Sequence, residues 1–502
     1  MEPVRSVQLL GICNPAFVLK HIHTRFQYIA LPGPKFYLFD FLGAIRYIPW
    51  TNKARNGCPL QTMVLQMIEG FARLVSEDLF FFWFGFHPIV IASKPDSIQA
   101  VLTDSSLLDK SILYKFIHPI LGNGLLTSDG DKWKPRRRLL NPSFRAHVVQ
   151  EFIPDFNKHS AKLVSVLKEK ASGEIVELST PIAHCVLDIV GDTIVGAHIG
   201  AQDNENHEYV EGLRRTFLIA FQRFIKLWYW PEFTFRYSED GTIFYRSLEC
   251  ICDLRNLVLQ RKKKEYQCRG TEESGPKSLM DNLLSFHMEK KNLTEEDIRE
   301  EVDTFLAAGN ESTTASLLFT FYLVGLDKKI QSDAQKELDR IFGDDKLRCV
   351  TKEDLAEMSY LECIIKESLR LFPTVPFFGR KVPKGGKTIC GFKLPPGTTL
   401  LIIPYITHRD PDIFPDPERF DPTRFSPENC ANRSHYAYVP FCAGARNCIG
   451  QQFAMIEMKV VLAHVLRNFT IESLDPRDKV LAAPEMTLRT ADQIRFRVFP
   501  RV

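Results

Sequence analysis

Phe441-Cys-Ala-Gly-Ala-Arg-Asn-Cys-Ile-Gly450 is the stretch on which the reading of this chain turns. Beyond it, Phe453, Ile456, Val460 and Ala463 recur at helical spacing, so the Cys448 thiol lies at or just before the N-terminus of an amphipathic helix. Unpaired N–H groups and the positive end of the dipole there favour a thiolate over a thiol. Gly444 and Gly450 permit the torsions and close approaches needed by a loop wrapped under a flat cofactor. Arg446 supplies a fixed cation for a carboxylate of that cofactor, and Cys448 is the candidate metal ligand.

The pattern Phe-x-x-Gly-x-Arg-x-Cys-x-Gly fixes five residues and arises by chance in a chain of this length roughly once in ten thousand. It resembles the haem-binding loop of the cytochrome P-450 (haem-thiolate monooxygenase) superfamily. The resemblance implies that Cys448 is the iron ligand of haem b, iron protoporphyrin IX, and that the fold is a single domain, mainly α with a small β-rich part.

Other stretches carry the same resemblance in the expected order. In Asp131-Lys-Trp133-Lys-Pro-Arg136-Arg137-Arg138, a short helix ending before Pro142, Trp133 and Arg137 are four apart and share a face. The family's Trp-x-x-x-Arg pattern puts both on a haem propionate. Lys132, Lys134, Arg136 and Arg138 leave the other faces basic; such a run is ordinarily a solvated face, but beside a haem thiolate it suits docking of an acidic electron donor.

Thr294 and Asp297 form a capping box at the head of a helix running to about Leu326, long enough to cross the domain. In its middle lies Ala308-Gly-Asn-Glu311-Ser312-Thr313-Thr314, where Gly309 costs about 1 kcal/mol and suits a helix loosened over a haem face. The stretch resembles the family's oxygen-binding motif, an acid followed by threonine. Glu311 is then the acid, and Ser312 or Thr313 the hydroxyl of a proton relay.

Glu367-Ser-Leu-Arg370 followed by Pro417-Glu-Arg419-Phe420 implies, by the same resemblance, a buried Glu367–Arg370–Arg419 network behind the haem loop. Val375-Pro-Phe-Phe-Gly-Arg380 lines the substrate pocket in relatives, and Arg380 matches the arginine on the second propionate. These segments, with Glu301-Val-Asp-Thr-Phe305, look most like family 4, whose members hydroxylate fatty acids; in arthropods some act on xenobiotics or hormones. Many family 4 enzymes esterify their haem to a glutamate where this chain has Ala308, so the haem here is expected to be non-covalently bound.

Composition bounds the rest. The 502 residues are 45% hydrophobic with a formal charge of +3, ample for a large core and too mildly basic for nucleic-acid binding. Twelve cysteines without a C-x-x-C pair indicate neither a zinc ribbon nor a disulfide framework. Leu121-Gly-Asn-Gly124 lacks the third glycine of a dinucleotide loop and reads as a turn. With no nicotinamide or flavin site of its own, such an enzyme takes electrons from NADPH-cytochrome P-450 reductase, with cytochrome b5 as a further donor, and uses O2 on a small lipophilic substrate.

Residues 1–30 contain an apolar stretch, Val7 to Leu19, that is broken by Gln8 and Asn14-Pro15 and is too short to span a bilayer. The haem domain is assigned to 31–502, starting at the hinge-like Leu31-Pro-Gly-Pro34. Aromatic residues around Trp228-Tyr-Trp-Pro231, with Phe36 and Phe39, point to peripheral attachment to the cytosolic face of the endoplasmic reticulum membrane.

Two other activities share such a loop. A haem-thiolate isomerase or dehydratase rearranges a peroxide without oxygen or reductase, and a haem sensor or carrier performs no reaction. Both leave the proton relay and the basic face without a use.

Overall fold

The computed structural model of the protein describes residues 27–28, 31–33, 58–75, 77–171, 173–203, 208–268, 278–289 and 293–501. The apolar stretch Val7 to Leu19, Phe36 and Phe39 lie outside the described residues. The longer helices are α1 (Leu60–Leu74), α2 (Gly130–Leu140), α3 (Ile153–Lys170), α4 (Ser179–Val190), α5 (Glu208–Ile225), α6 (Glu239–Cys268), α7 (Leu279–Met288), α8 (Glu295–Leu326), α9 (Lys328–Phe342), α10 (Ser359–Leu371) and α11 (Gln451–Asn468). No helix among the described residues is long and apolar enough to cross a membrane.

The axis of the domain is α8, 32 residues and about 48 Å long. Its start is fixed by the expected capping box, in which Thr294 Oγ1 accepts from Asp297 N and Asp297 Oδ2 accepts from Thr294 N, worth about 1 kcal/mol. Nearly every residue from Ile298 to Gly325 is buried, because α4, α9, α10 and α11 surround it. Hydroxyls survive in that interior by bonding back one turn: Ser312 donates to Ala308 O, Ser316 to Ser312 O and Thr320 to Ser316 O.

The helix is continuous through Gly309 rather than loosened there. The glycine is needed because α4 passes close by: a Cβ would stand 2.9 Å from a Val190 methyl. The Leu121–Gly124 turn docks against the same helix, Asn123 N donating to Glu300 and Leu125 N to Glu301.

A four-stranded sheet in the order β1 (Leu79–Phe84), β2 (His87–Ala92), β6 (Thr399–Ile402), β3 (Phe378–Lys381) carries a second core. Only β2 and β6 run parallel. Strand β1 is buried on both faces, so its alternation divides two clusters: Leu79, Phe81 and Trp83 face Tyr28 and Val90, while Phe80, Phe82 and Phe84 face α1 and Phe221. The turn of this hairpin is at Gly85, with φ +58°, and His87 and Pro88 already belong to β2. Two-stranded ribbons complete the β part: β4 (Lys387–Ile389) with β5 (Phe392–Leu394), β7 (Phe469–Ser473) with β10 (Phe496–Pro500), and β8 (Ala482–Pro484) with β9 (Leu488–Thr490). The basic run at Arg261–Lys264 is the continuation of α6.

On α10, Glu367 and Arg370 are both fully buried and paired, Arg370 Nε donating to Glu367 Oε2 at 2.7 Å and Nη2 to Oε1 at 2.8 Å. Arg370 also donates to the main-chain carbonyls of His408, Pro417 and Arg419. Arg419 therefore joins the network through its carbonyl, not its exposed side chain; the second guanidinium near Glu367 is that of Arg424, at 3.5 Å. Arg370→Leu strands a buried carboxylate and removes five donated bonds. We expect a loss of about 3–5 kcal/mol in urea unfolding, or no folded protein; a stability within 1 kcal/mol of the parent, on the order of an exposed pair, would contradict this role.

Candidate functional site

Cys448 lies three residues ahead of α11, its N–H donating to Phe441 O at 2.9 Å so that the loop closes on itself. The loop's shape depends on Gly444: with φ +71° it brings its backbone so close to α-helix residue Leu102 that a Cβ would stand 2.0 Å from Leu102 O. Gly450 has an ordinary negative φ, and open space lies where its Cβ would be, so its contribution is clearance beside the cavity rather than torsion. Cys448 is solvent-accessible by area yet deep in the interior, since the surface it exposes lines this cavity. Burial pushes its thiol up from the ordinary range, opposed by the Gly450 N–H and the Arg137 charge. The protein alone thus holds a thiol there, not the thiolate that the helix start suggested; a bound metal would be needed to supply the difference.

One largely apolar cavity joins Cys448 to the middle of α8, where Ala308, Gly309, Glu311, Ser312 and Thr313 form part of its wall. Ala308 presents its methyl there, exposed to the cavity. Phe217, Phe221, Phe224, Phe305 and Phe377 line the remainder.

Positive charge gathers on one side. Arg446 is buried over the Trp133 ring at 4.4 Å and donates to the carbonyls of Leu108, Leu125 and Ser128, with no carboxylate among these partners. Burial, then the neighbouring Arg380, lowers its pKa to about 9. Arg380, on β3, donates to Gly379 O and approaches Cys442 Sγ at 3.6 Å. Lys110 forms a backbone bridge with Arg380 and places its ammonium over Tyr114 at 4.2 Å. Burial and the two guanidiniums push Lys110 well below its ordinary value. The adjacent carboxylates are spent on main-chain N–H groups, Asp109 on Gly130 and Asp129 on Lys110.

Arg137 is held on the other side of the loop, donating to Asn447 O at 2.7 Å, Asn447 Oδ1 at 2.8 Å and Asn141 Oδ1 at 2.7 Å. Trp133 and Arg137 share a face of α2 and both line the cavity, but Arg137's donors reach the Cys448 loop. Arg136, expected on a basic docking face, is buried and paired with Asp297 at 2.6 Å and Glu301 at 3.0 Å. Lys132 is likewise paired, with Glu300 at 2.6 Å; Lys134 and Arg138 remain exposed.

Glu311 forms a buried ion pair with Arg489 of β9 and accepts from Thr487 Oγ1 at 3.3 Å. Thr313 lies near Glu457 of α11, a fully buried carboxyl whose proton affinity burial raises far above the ordinary, the Thr313 hydroxyl opposing that shift. Lys110, Arg489 and Glu457 were not singled out from the sequence. Only Lys110 carried a local signal, standing beside Asp109 just ahead of an aromatic run.

Among the described residues no group of three or more metal-ligating side chains converges, so Cys448 could bind a metal only if a non-protein group supplied the other ligands. A planar, dianionic macrocycle fits these residues: one thiol on the wall, clearance at Gly450, and three crowded cations lacking carboxylate partners. Comparison with known proteins agrees. The cytochrome P450 family model matches residues 58–496. Cytochrome P450 4V2 of Rattus norvegicus is 40% identical over 446 residues, covering 86% of this chain and 84% of the relative. Its Homo sapiens counterpart is 39% identical over 86% of this chain and 83% of its own length, and cytochrome P450 4c3 of Drosophila melanogaster is 38% identical over 84% and 81%. The chain belongs to the cytochrome P450 family. It is a haem-thiolate monooxygenase, similar to members of family 4, with haem b held by a cysteine thiolate.

Lys110→Met provides a test with opposite signs. Removing one of three crowded cations should raise the melting temperature of the haem-free protein, while haem transfer to excess apomyoglobin becomes severalfold faster. If haem retention is unchanged, Lys110 does not face the cofactor's carboxylates.

Proposed function

We propose that this monooxygenase hydroxylates a fatty acid, with Cys448 as the haem ligand and Glu311, Ser312 and Thr313 serving the oxygen side. The observation that carries the reading is the single cavity that has the Cys448 thiol and the Ala308–Thr313 turn of α8 in its walls. A bound haem supplies dioxygen activation and one-electron chemistry; the protein supplies binding, orientation and protons. Lys110, Arg380 and Arg446, with Trp133 stacked on Arg446, hold the propionates, while Arg137 braces the Cys448 loop through Asn447. The phenylalanine-rich wall excludes water and accommodates an alkyl chain.

Of the two hydroxyls open to this role, Ser312 is half-exposed on the cavity and donates back to Ala308 O at 2.7 Å, so its oxygen is free to accept a hydrogen bond from a cavity water and hold that water in place. Ala308 leaves no carboxylate at its position, and the haem is held without an ester. A methyl there also leaves the cavity less narrow, which favours hydroxylation within the chain as well as at the terminal carbon.

Electrons enter from a separate reductase. Lys134 and Arg138 are exposed on α2, the helix whose Arg137 bonds the Cys448 loop, and suit an acidic donor, whereas Arg136 serves the fold. Attachment to the cytosolic face of the endoplasmic reticulum membrane is supported by the exposed Trp228, Phe233 and Tyr237. Of the aromatic residues first considered, Tyr229 packs on Phe235, and Trp230 on His87 and Phe116, and both are only partly exposed beside Trp228.

The test is turnover of the holoenzyme with NADPH-cytochrome P-450 reductase, NADPH and a panel of saturated and unsaturated fatty acids. Oxygen-dependent hydroxylation at the terminal and neighbouring carbons is expected. Turnover of other lipophiles with no product from any fatty acid would overturn the substrate assignment and leave the monooxygenase in place.

A further inference from the structure

Glu311 is separated from any acidic or basic neighbour in sequence, yet two charged side chains from the far end of the chain enclose it. The β8–β9 hairpin presents Met486 and Thr487 to the cavity and, beside them, carries Glu485 and Arg489, both less than a tenth exposed. Arg489 pairs with Glu311, and the field of Glu485 acts on the same guanidinium. One cation thus serves two buried carboxyls. With both ionised the cluster carries a net negative charge in the interior, which is costly, so a proton is retained on one of them. Burial raises Glu485 to about 7, with Arg489 opposing and Glu311 adding to the shift.

Two groups of α5 complete the surroundings: Arg214, exposed, acts on Glu485, and Glu211, half-exposed, acts on Arg489. Glu485 is tied to the residue that bonds Glu311, its N–H donating to Thr487 O across the turn at 3.0 Å, while Thr487 and Arg489 each contact Glu311 directly.

We infer that Glu485 and Arg489 are positioning residues for the oxygen-side acid, the hairpin forming a proton entry from the α5 surface in which Glu485 holds the exchangeable proton and Arg489 fixes Glu311 to receive it. The proton leaves the Glu485 carboxyl for a solvent water, that water gives one to Thr487 Oγ1 as Thr487 passes its own to Glu311, and Glu311 releases one to a cavity water. Glu485 is then reprotonated from solvent beside Arg214. No electron moves, and each group returns to its starting state. The inference rests on the reading of Glu311 as the oxygen-side acid.

The experiment compares product formed per NADPH consumed across the neutral pH range in the parent holoenzyme, Glu485→Gln, Glu485→Asp and Glu311→Gln, each checked for an unaltered ferrous carbon monoxide spectrum. In the parent, coupling should fall as pH rises through about 7, because Glu485 is protonated below that value and loses its proton above it. Glu485→Gln cannot pass a proton: coupling should drop severalfold, lose that pH dependence and show a larger solvent deuterium isotope effect. Glu485→Asp should restore a titrating limb. If Glu311→Gln uncouples but Glu485→Gln keeps the parent's coupling and pH profile, the hairpin route is overturned while Glu311 keeps its role. If Glu311→Gln has no effect, both fall.

Discussion

Everything near the cavity depends on the fully buried pair of Glu367 and Arg370. A charge with no access to water is stable only when all its polar atoms are partnered, and that requirement makes Arg370 an organiser of chain that has no regular structure of its own. Its donors gather the carbonyls of His408, Pro417 and Arg419, and Glu367 accepts from the Asp421 N–H. His408, held at its carbonyl, then accepts from Val439 N through Nε2, while Tyr438 donates to Lys366 O. Val439 leads directly into Phe441 and the Cys448 loop. The irregular segment before the thiol is therefore fixed from behind by one ion pair, and α11 fixes it from the other side.

The cavity itself is built with a deficit. Lys110, Arg380 and Arg446 crowd together with their neighbouring carboxylates turned to main-chain N–H groups, and a buried thiol is held protonated. Each condition is unfavourable in the protein alone and is relieved by a ligand that brings negative charge to the cations and a metal to the sulfur. The oxygen side shows the same economy of charge: Glu311 is matched by Arg489, and Glu457, without such a partner, is kept neutral by burial.

Features that depend on neighbours in sequence were legible. The Cys448 loop, the Thr294–Asp297 capping box, the shared face of Trp133 and Arg137, and the pairing of Glu367 with Arg370 all follow from spacings of ten residues or fewer. What escaped notice joins distant segments. Glu311 and Arg489 are 178 positions apart, and Arg136 finds Glu301 across 165, so a basic run that reads as a solvated face is partly interior. Gly309 was rightly expected to have a reason, but the reason is the approach of Val190 from α4, which no property of the α8 sequence contains. Lys110 was missed because a lysine between Asp109 and Ser111 looks exposed until β3 is laid beside it.

The central claim is that Cys448, and not the nearby Cys442 that also lines the cavity, binds the iron. The most direct measurement is the Soret band of the ferrous carbon monoxide complex in Cys448→His and Cys442→Ser. The account requires the red-shifted thiolate band to vanish in the first and persist in the second. Survival of that band in Cys448→His would contradict it.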